Sequence, residues 1–109
     1  MDLVLKALAN PRRRQILHLV WDEERPATEL ADLVGISRPA MSQHLAVLKD
    51  SGLVTVRGDA TRRLYRVDFA RIQEVRALLD DFWGDKLIAL KVRAEAIQRE
   101  REAQRGGGP

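Results

Sequence analysis

The chain has 109 residues, 45% hydrophobic and 32% charged, which suits one folded domain with a modest core and argues against a wholly disordered chain. It contains no cysteine, so a disulfide framework, a thiolate metal site and a cysteine nucleophile are all excluded. Net charge is +3, and the whole excess lies between Ser37 and Arg66, where six basic residues meet two acidic ones. A stretch so biased fits a polyanion, although charge alone does not separate that from a solvated basic surface.

Met1–Lys6 meets charge too early for a secretory signal, and no apolar run approaches the roughly 18 residues of a membrane span. The sequence therefore predicts a cytoplasmic protein with no membrane partner, and the lack of cysteine fits that reducing compartment.

Leu3, Val4 and Leu8 form a short apolar stretch before Asn10-Pro11, an N-cap and first-turn proline that predict a helix start. Ile16, Leu17, Val20 and Trp21 continue it at helical spacing, and it should end near Glu23–Pro26. Thr28 can cap a next helix carrying Leu30, Ala31, Leu33 and Val34, closed by Gly35. Ser37 then caps another, with Pro39 in its first turn, Met41, Leu45 and Leu48 as its buried stripe and Gly52 as its stop.

The period changes at Leu53–Arg57, which reads as a strand, followed by a turn over Gly58-Asp59-Ala60-Thr61 and a second strand from Arg62 to Val67. Asp68 caps a last helical region from Phe69 toward Arg105, where Gly84 makes a kink or break plausible at a cost of about 1 kcal/mol relative to alanine. The fold class is mainly α with an α+β wing: a winged helix-turn-helix of order α-α-α-α-β-β-α. Residues 1–105 read as a single winged helix domain, and 106–109 as a disordered tail.

Thr28 to Leu45 carries the functional signal. A capped helix, a turn opened by glycine and a second capped helix make a helix-turn-helix unit. Ile36 should plug the angle between the helices. Burial of Met41, Leu45 and Leu48 turns Arg38, Pro39, Ser42, Gln43 and Ala46 outward. Gln43 suits adenine and Arg38 guanine in the major groove, while Ser37, Ser42 and the helix N-terminus suit phosphate. His44 and Lys49 on the same helix join this set, His44 as a packing or phosphate-contacting group. Arg57, Arg62 and Arg63 cluster near the hairpin turn, where a wing touches the DNA backbone or minor groove. Asp59 has the wrong sign and belongs to the turn; Arg66 reads equally well as a structural surface residue.

The segment Ser37-Arg38-Pro39-Ala40-Met41-Ser42-Gln43-His44-Leu45-Ala46-Val47-Leu48-Lys49-Asp50-Ser51-Gly52-Leu53-Val54 resembles the recognition segment of the arsenical-resistance-repressor (ArsR) family. Leu8–Leu17 is similar to its first helices and Arg62–Val67 to its second wing strand, so the likeness spans about residues 3 to 90. The resemblance implies a dimeric, usually autoregulatory repressor acting on double-stranded operator DNA, with the first and last helices at the dimer interface. Leu3, Val4, Leu8, Leu79, Phe82, Trp83, Leu87 and Leu90 are the interface residues expected on that basis. The length of the last helix points the same way. At 1.5 Å per residue it would reach roughly 55 Å, more than one small domain can cover.

Many relatives sense metals through cysteines in the helix before the turn or through Asp, His and Glu on the last helix. Here the first position reads Glu29-Leu30-Ala31-Asp32-Leu33, and the only histidines are His18 and His44. No metal or other cofactor is expected: Asp80, Asp81 and Asp85 read as a solvated acidic face. The small-molecule effector stays unnamed. An enzyme is not expected either, since Ser42 and His44 diverge by about 200° on a helix and no phosphate loop or nucleophile elbow appears. A protein-interaction module would not need the arginines of the wing, and an RNA binder would show more stacking aromatics than Tyr65. Trp21, Phe82 and Trp83 are the large aromatics available to an effector pocket, with core or dimer packing the simpler role.

Overall fold

A computed structural model describes residues 1–106. In chain order its elements are α1 (Asp2–Ala9), α2 (Pro11–Leu19), β1 (Arg25–Pro26), α3 (Ala27–Val34), α4 (Arg38–Asp50), β2 (Val54–Asp59), β3 (Arg62–Val67) and α5 (Phe69–Gly106). The fold is a winged helix. The chain forms two compact units, Met1–Val75 and the stretch from Arg76 onward, with α5 contributing to both. Of the tail expected over 106–109, Gly106 is the last residue of α5, and residues 107–109 lie outside the described residues.

Helix boundaries follow local chemistry. Asn10 Oδ1 accepts from the N–H groups of Arg12 (2.9 Å) and Arg13 (3.3 Å), and Pro11 opens α2. Gly35 ends α3 with φ +78°, its N–H and that of Ile36 both reaching the Ala31 carbonyl. Ser37 Oγ accepts from the Ala40 N–H at 3.2 Å to start α4. Gly52, at φ +80°, ends α4 in a Schellman motif: its N–H bonds to Lys49 O at 2.9 Å, and that of Leu53 bonds to Leu48 O at 3.1 Å. Asp68 Oδ1 accepts from the Arg71 N–H at 3.2 Å at the start of α5.

Five details differ from expectation. Helix α2 stops at Leu19 with Val20 as its C-cap, short of the end expected near Glu23–Pro26, and Trp21 lies outside it. Arg25-Pro26 is a strand, β1, paired antiparallel to β3 (Arg25↔Tyr65, Pro26↔Leu64) and giving the sheet order β1-β3-β2. A two-residue strand has no periodicity to read, and its proline is tolerated because β1 lies on an edge. With Pro26 extended at φ −73° and ψ 153°, α3 begins directly at Ala27, so Thr28 sits in the first turn and caps nothing. The hairpin register carries Gly58 and Asp59 into β2, leaving Ala60-Thr61 as a two-residue turn. Gly84 stays helical inside α5. One glycine costs about 1 kcal/mol against the many hydrogen bonds of a long helix, so no break results.

Ala60 adopts φ +55° in that turn, a conformation L-residues resist by roughly 1–2 kcal/mol. Ala60→Gly relieves the clash at some entropic cost, so chemical denaturation should show a net gain of about 0.5 kcal/mol. A loss of stability would show that the turn bears no strain.

The core of the first unit is built from every element in it except β1, whose two residues are only half-buried. Val4 and Ala7 of α1, Ile16 and Leu17 of α2, Leu30, Ala31 and Val34 of α3, and Met41, Leu45 and Leu48 of α4 are buried. Leu53, Val54, Leu64, Val67 and Val75 complete it from the hairpin side. The apolar stripe of α4 is thereby consumed, which fixes the orientation of its opposite face. Beyond Val75, by contrast, α5 buries no large side chain among the described residues.

Candidate nucleic-acid interface

Arg38, Pro39, Ser42, Gln43, Ala46 and Lys49 are all exposed on α4, as expected of the face opposite Met41, Leu45 and Leu48. Ser37 is exposed too, with its hydroxyl serving as the cap of α4. Ile36 is half-buried after the turn. Ser42, Leu45, Ala46, Lys49 and the acidic Asp50 border an open groove of about 570 Å³ whose other walls are Pro26–Thr28 at the start of α3 and Thr61, Arg62, Arg63 and Tyr65 of the hairpin. The recognition-helix face and the wing thus share one continuous surface.

Within the wing, cross-strand partners lie on the same face. Gly58↔Arg63 and Val56↔Tyr65 share a face with the buried pair Val54↔Val67, while Thr55↔Arg66, Arg57↔Leu64 and Asp59↔Arg62 share the other. Arg63 is exposed and has no ion-pair partner among the described residues. Arg62 lies 3.4 Å from Asp59 across the strands, which offsets part of its charge. Asp59 therefore sits in β2 opposite Arg62, not in the turn itself.

Arg57 differs from its neighbours. Its Nε donates to Glu24 Oε2 at 2.6 Å and its Nη2 to Oε1 at 3.0 Å, a bidentate pair. Each partner's hydrogen bond to the other is the main reason that Glu24 titrates below the usual carboxylate range and Arg57 above the usual arginine range. The sequence placed Arg57 with the DNA-contacting arginines; its Nε and Nη2 are engaged by Glu24.

His44 is half-buried, its Nδ1 3.5 Å from Arg13 Nη1. Arginine can only donate, so this contact favours the neutral ring with its proton on Nε2. Burial, then the charges of Arg13 and Arg12, hold the His44 pKa below its ordinary value. Of the two roles the sequence allowed, packing is the one its surroundings favour.

Three arginines escaped the sequence reading. Arg12 Nη1 donates to Val34 O (3.1 Å) at the end of α3. Arg13 donates to Ala7 O (3.0 Å) and Lys6 O (2.9 Å), and Arg14 to Leu8 O (2.7 Å), all at the end of α1. Together they cap the last carbonyls of two helices.

The residues expected at a dimer interface divide. Val4 is fully buried in its own chain and belongs to the core, while Leu8 and Leu79 are half-buried. Leu3 is 56% exposed on α1; on α5, Phe82, Trp83, Leu87 and Leu90 are 60%, 40%, 52% and 60% exposed. Phe82 and Trp83 meet edge-to-face, with ring centroids 5.2 Å apart, and Lys86 Nζ lies 4.7 Å above the Phe82 ring. Trp21 packs edge-on to Phe69 at 5.6 Å. No group of three or more His, Cys, Asp or Glu able to hold a metal ion occurs among the described residues.

Residues 10–56 match the family model described as bacterial regulatory protein, arsR family. An HTH-type transcriptional regulator of Mycobacterium tuberculosis is 42% identical over 82 residues, which span 75% of this chain and 77% of that one. A crystal structure of a possible transcriptional regulator for arsenical resistance aligns with a TM-score of 0.68 at 41% identity, over 82% of this chain and 95% of that chain. The homodimeric winged helix-turn-helix DNA-binding domain of a possible ArsR-family regulator from Mycobacterium bovis aligns at 0.61 with 38% identity, covering 73% and 77%. All three are described as transcriptional regulators, the two solved structures as possible ones. The capped helix-turn-helix, the arginine-bearing hairpin and these alignments agree: the chain belongs to the arsR family of bacterial regulatory proteins, DNA-binding winged helix regulators of transcription.

Proposed function

We propose that the protein is a homodimeric repressor that binds a palindromic operator in double-stranded DNA, including one upstream of its own gene. The observation that carries this reading is the shared groove, where Ser42 and Lys49 of α4 face Arg62 and Arg63 of the wing. In it α4 enters the major groove, with Gln43 reading adenine and Arg38 guanine, Pro39 against the base edges, and Ser37, Ser42 and Lys49 on phosphates. Arg62 and Arg63 follow the adjoining backbone. His44 stays behind this surface and orients α4 against α2.

The dimer is supported by α5, whose Phe82, Trp83, Leu87 and Leu90 stay 40–60% exposed in their own chain. Leu79 flanks them, and Leu3 and Leu8 of α1 supply a further apolar contribution. The relative from Mycobacterium bovis is described as homodimeric, which supports a dimer. Two α4 helices then address half-sites about 34 Å apart. The protein acts in the cytoplasm, where the operator is, and no helix among the described residues is long and apolar enough to cross a membrane.

The test is binding to the DNA upstream of the gene at several salt concentrations, with transcription from that DNA as a second readout. Site-selective, salt-sensitive binding that lowers transcription is expected; equal affinity for any duplex overturns the operator, and a rise in transcription overturns repression. Gln43→Ala should flatten discrimination between operator variants. Arg63→Ala should instead weaken all duplexes alike and reduce the salt slope by about 1.

A further inference from the structure

The hairpin that carries Arg62 and Arg63 is supported mainly at its base. The edge strand β1 pairs only with Tyr65 and Leu64, so the segment from Gly58 to Arg63 extends beyond the third strand. Two-stranded hairpins are marginal in water by themselves. Among the described residues, the Glu24–Arg57 pair is the one side-chain hydrogen bond or ion pair that ties the hairpin to anything outside it. Its placement suits a brace. Arg57, Leu64 and Pro26 stand in one row across the sheet, and Glu24 lies two residues before Pro26.

We propose that Glu24 and Arg57 form a strap that holds the wing tip alongside α4, making Glu24 a positioning residue for DNA binding and Arg57 a structural cation. The proposal rests on the DNA-binding reading above but assigns Arg57 differently from Arg63. Both oxygens of the Glu24 carboxylate are engaged by the planar fork of one guanidinium, a match that lysine cannot reproduce. The pair is neutral as a unit, so it displaces no counterions from DNA. A phosphate could recruit Arg57 only by leaving the Glu24 carboxylate bare beside the polyanion.

The experiment compares wild type, Glu24→Gln, Arg57→Ala and the charge exchange Glu24→Arg with Arg57→Glu, each checked by thermal melting. The pair is exposed and such pairs are weak, so each single variant should bind operator only about two- to fivefold more weakly. Their salt slopes should match wild type, and the exchange should recover most of the loss. A phosphate contact predicts otherwise: Arg57→Ala lowers the slope by about 1, and the exchange binds worst of all. That pattern, or wild-type affinity in every variant, overturns the strap. Amide exchange of Arg57–Arg63 without DNA provides a readout independent of the operator. It should quicken in Glu24→Gln and slow again in the exchange variant; unchanged rates overturn the strap even if no duplex binds. A wild type that ignores DNA while these rates move as expected would overturn the binding reading instead.

Discussion

Replacing Leu87 and Leu90 together by glutamate is expected to halve the mass measured by light scattering and to weaken operator binding by about 100-fold or more, the scale on which linked half-sites gain from avidity. Both side chains are more than half exposed in their own chain, so the substitution removes little of that chain's packing. Glutamate is also nearly as good a helix former as leucine, and circular dichroism should show α5 intact. In a two-fold dimer each change occurs twice, so four carboxylates enter one apolar seam, where unpaired charge is strongly unfavourable. A double variant that keeps the wild-type mass would place the interface elsewhere. A wild type that scatters as a monomer would remove the dimer altogether.

Much of the fold was legible because its boundaries depend on single residues. Asn10, Ser37 and Asp68 each accept the N–H that an N-cap should, and Gly35 and Gly52 both adopt the left-handed backbone expected of a helix stop. The outer face of α4 was legible by subtraction, once Met41, Leu45 and Leu48 were assigned to the core. What the sequence hid depends on partners far along the chain. β1 is defined by pairing with residues some 40 positions later, and nothing in Arg25-Pro26 encodes that. The pairing of Arg57 depends on Glu24, 33 residues away, and the inward setting of His44 on Arg13, 31 residues away. One signal was available. Arg12, Arg13 and Arg14 stand in the first turn of α2, at the positive end of its dipole, where cations are unfavourable. Three arginines there imply another task, which proves to be capping the ends of α1 and α3.

The middle arginine of that trio carries the second large expectation. Arg13→Ala should destabilise the protein by about 2 kcal/mol or more, since hydrogen bonds to charged groups are worth about 1.5–3 kcal/mol each when partly buried. The guanidinium serves Ala7 O and Lys6 O at once, and its third edge meets His44. Its removal therefore frays the end of α1 and loosens the contact between α2 and the recognition helix together. Arg13→Lys should recover less than half of the loss, because a single ammonium cannot span three acceptors with the geometry of a planar fork. Urea denaturation is the measurement, with an unchanged m-value showing that the native state and not the unfolded one was altered. His44→Gln can still accept from Arg13 through its side-chain carbonyl, so it should cost much less than Arg13→Ala. If the two variants instead lose equal stability, the histidine contact and not the helix cap is what Arg13 chiefly provides.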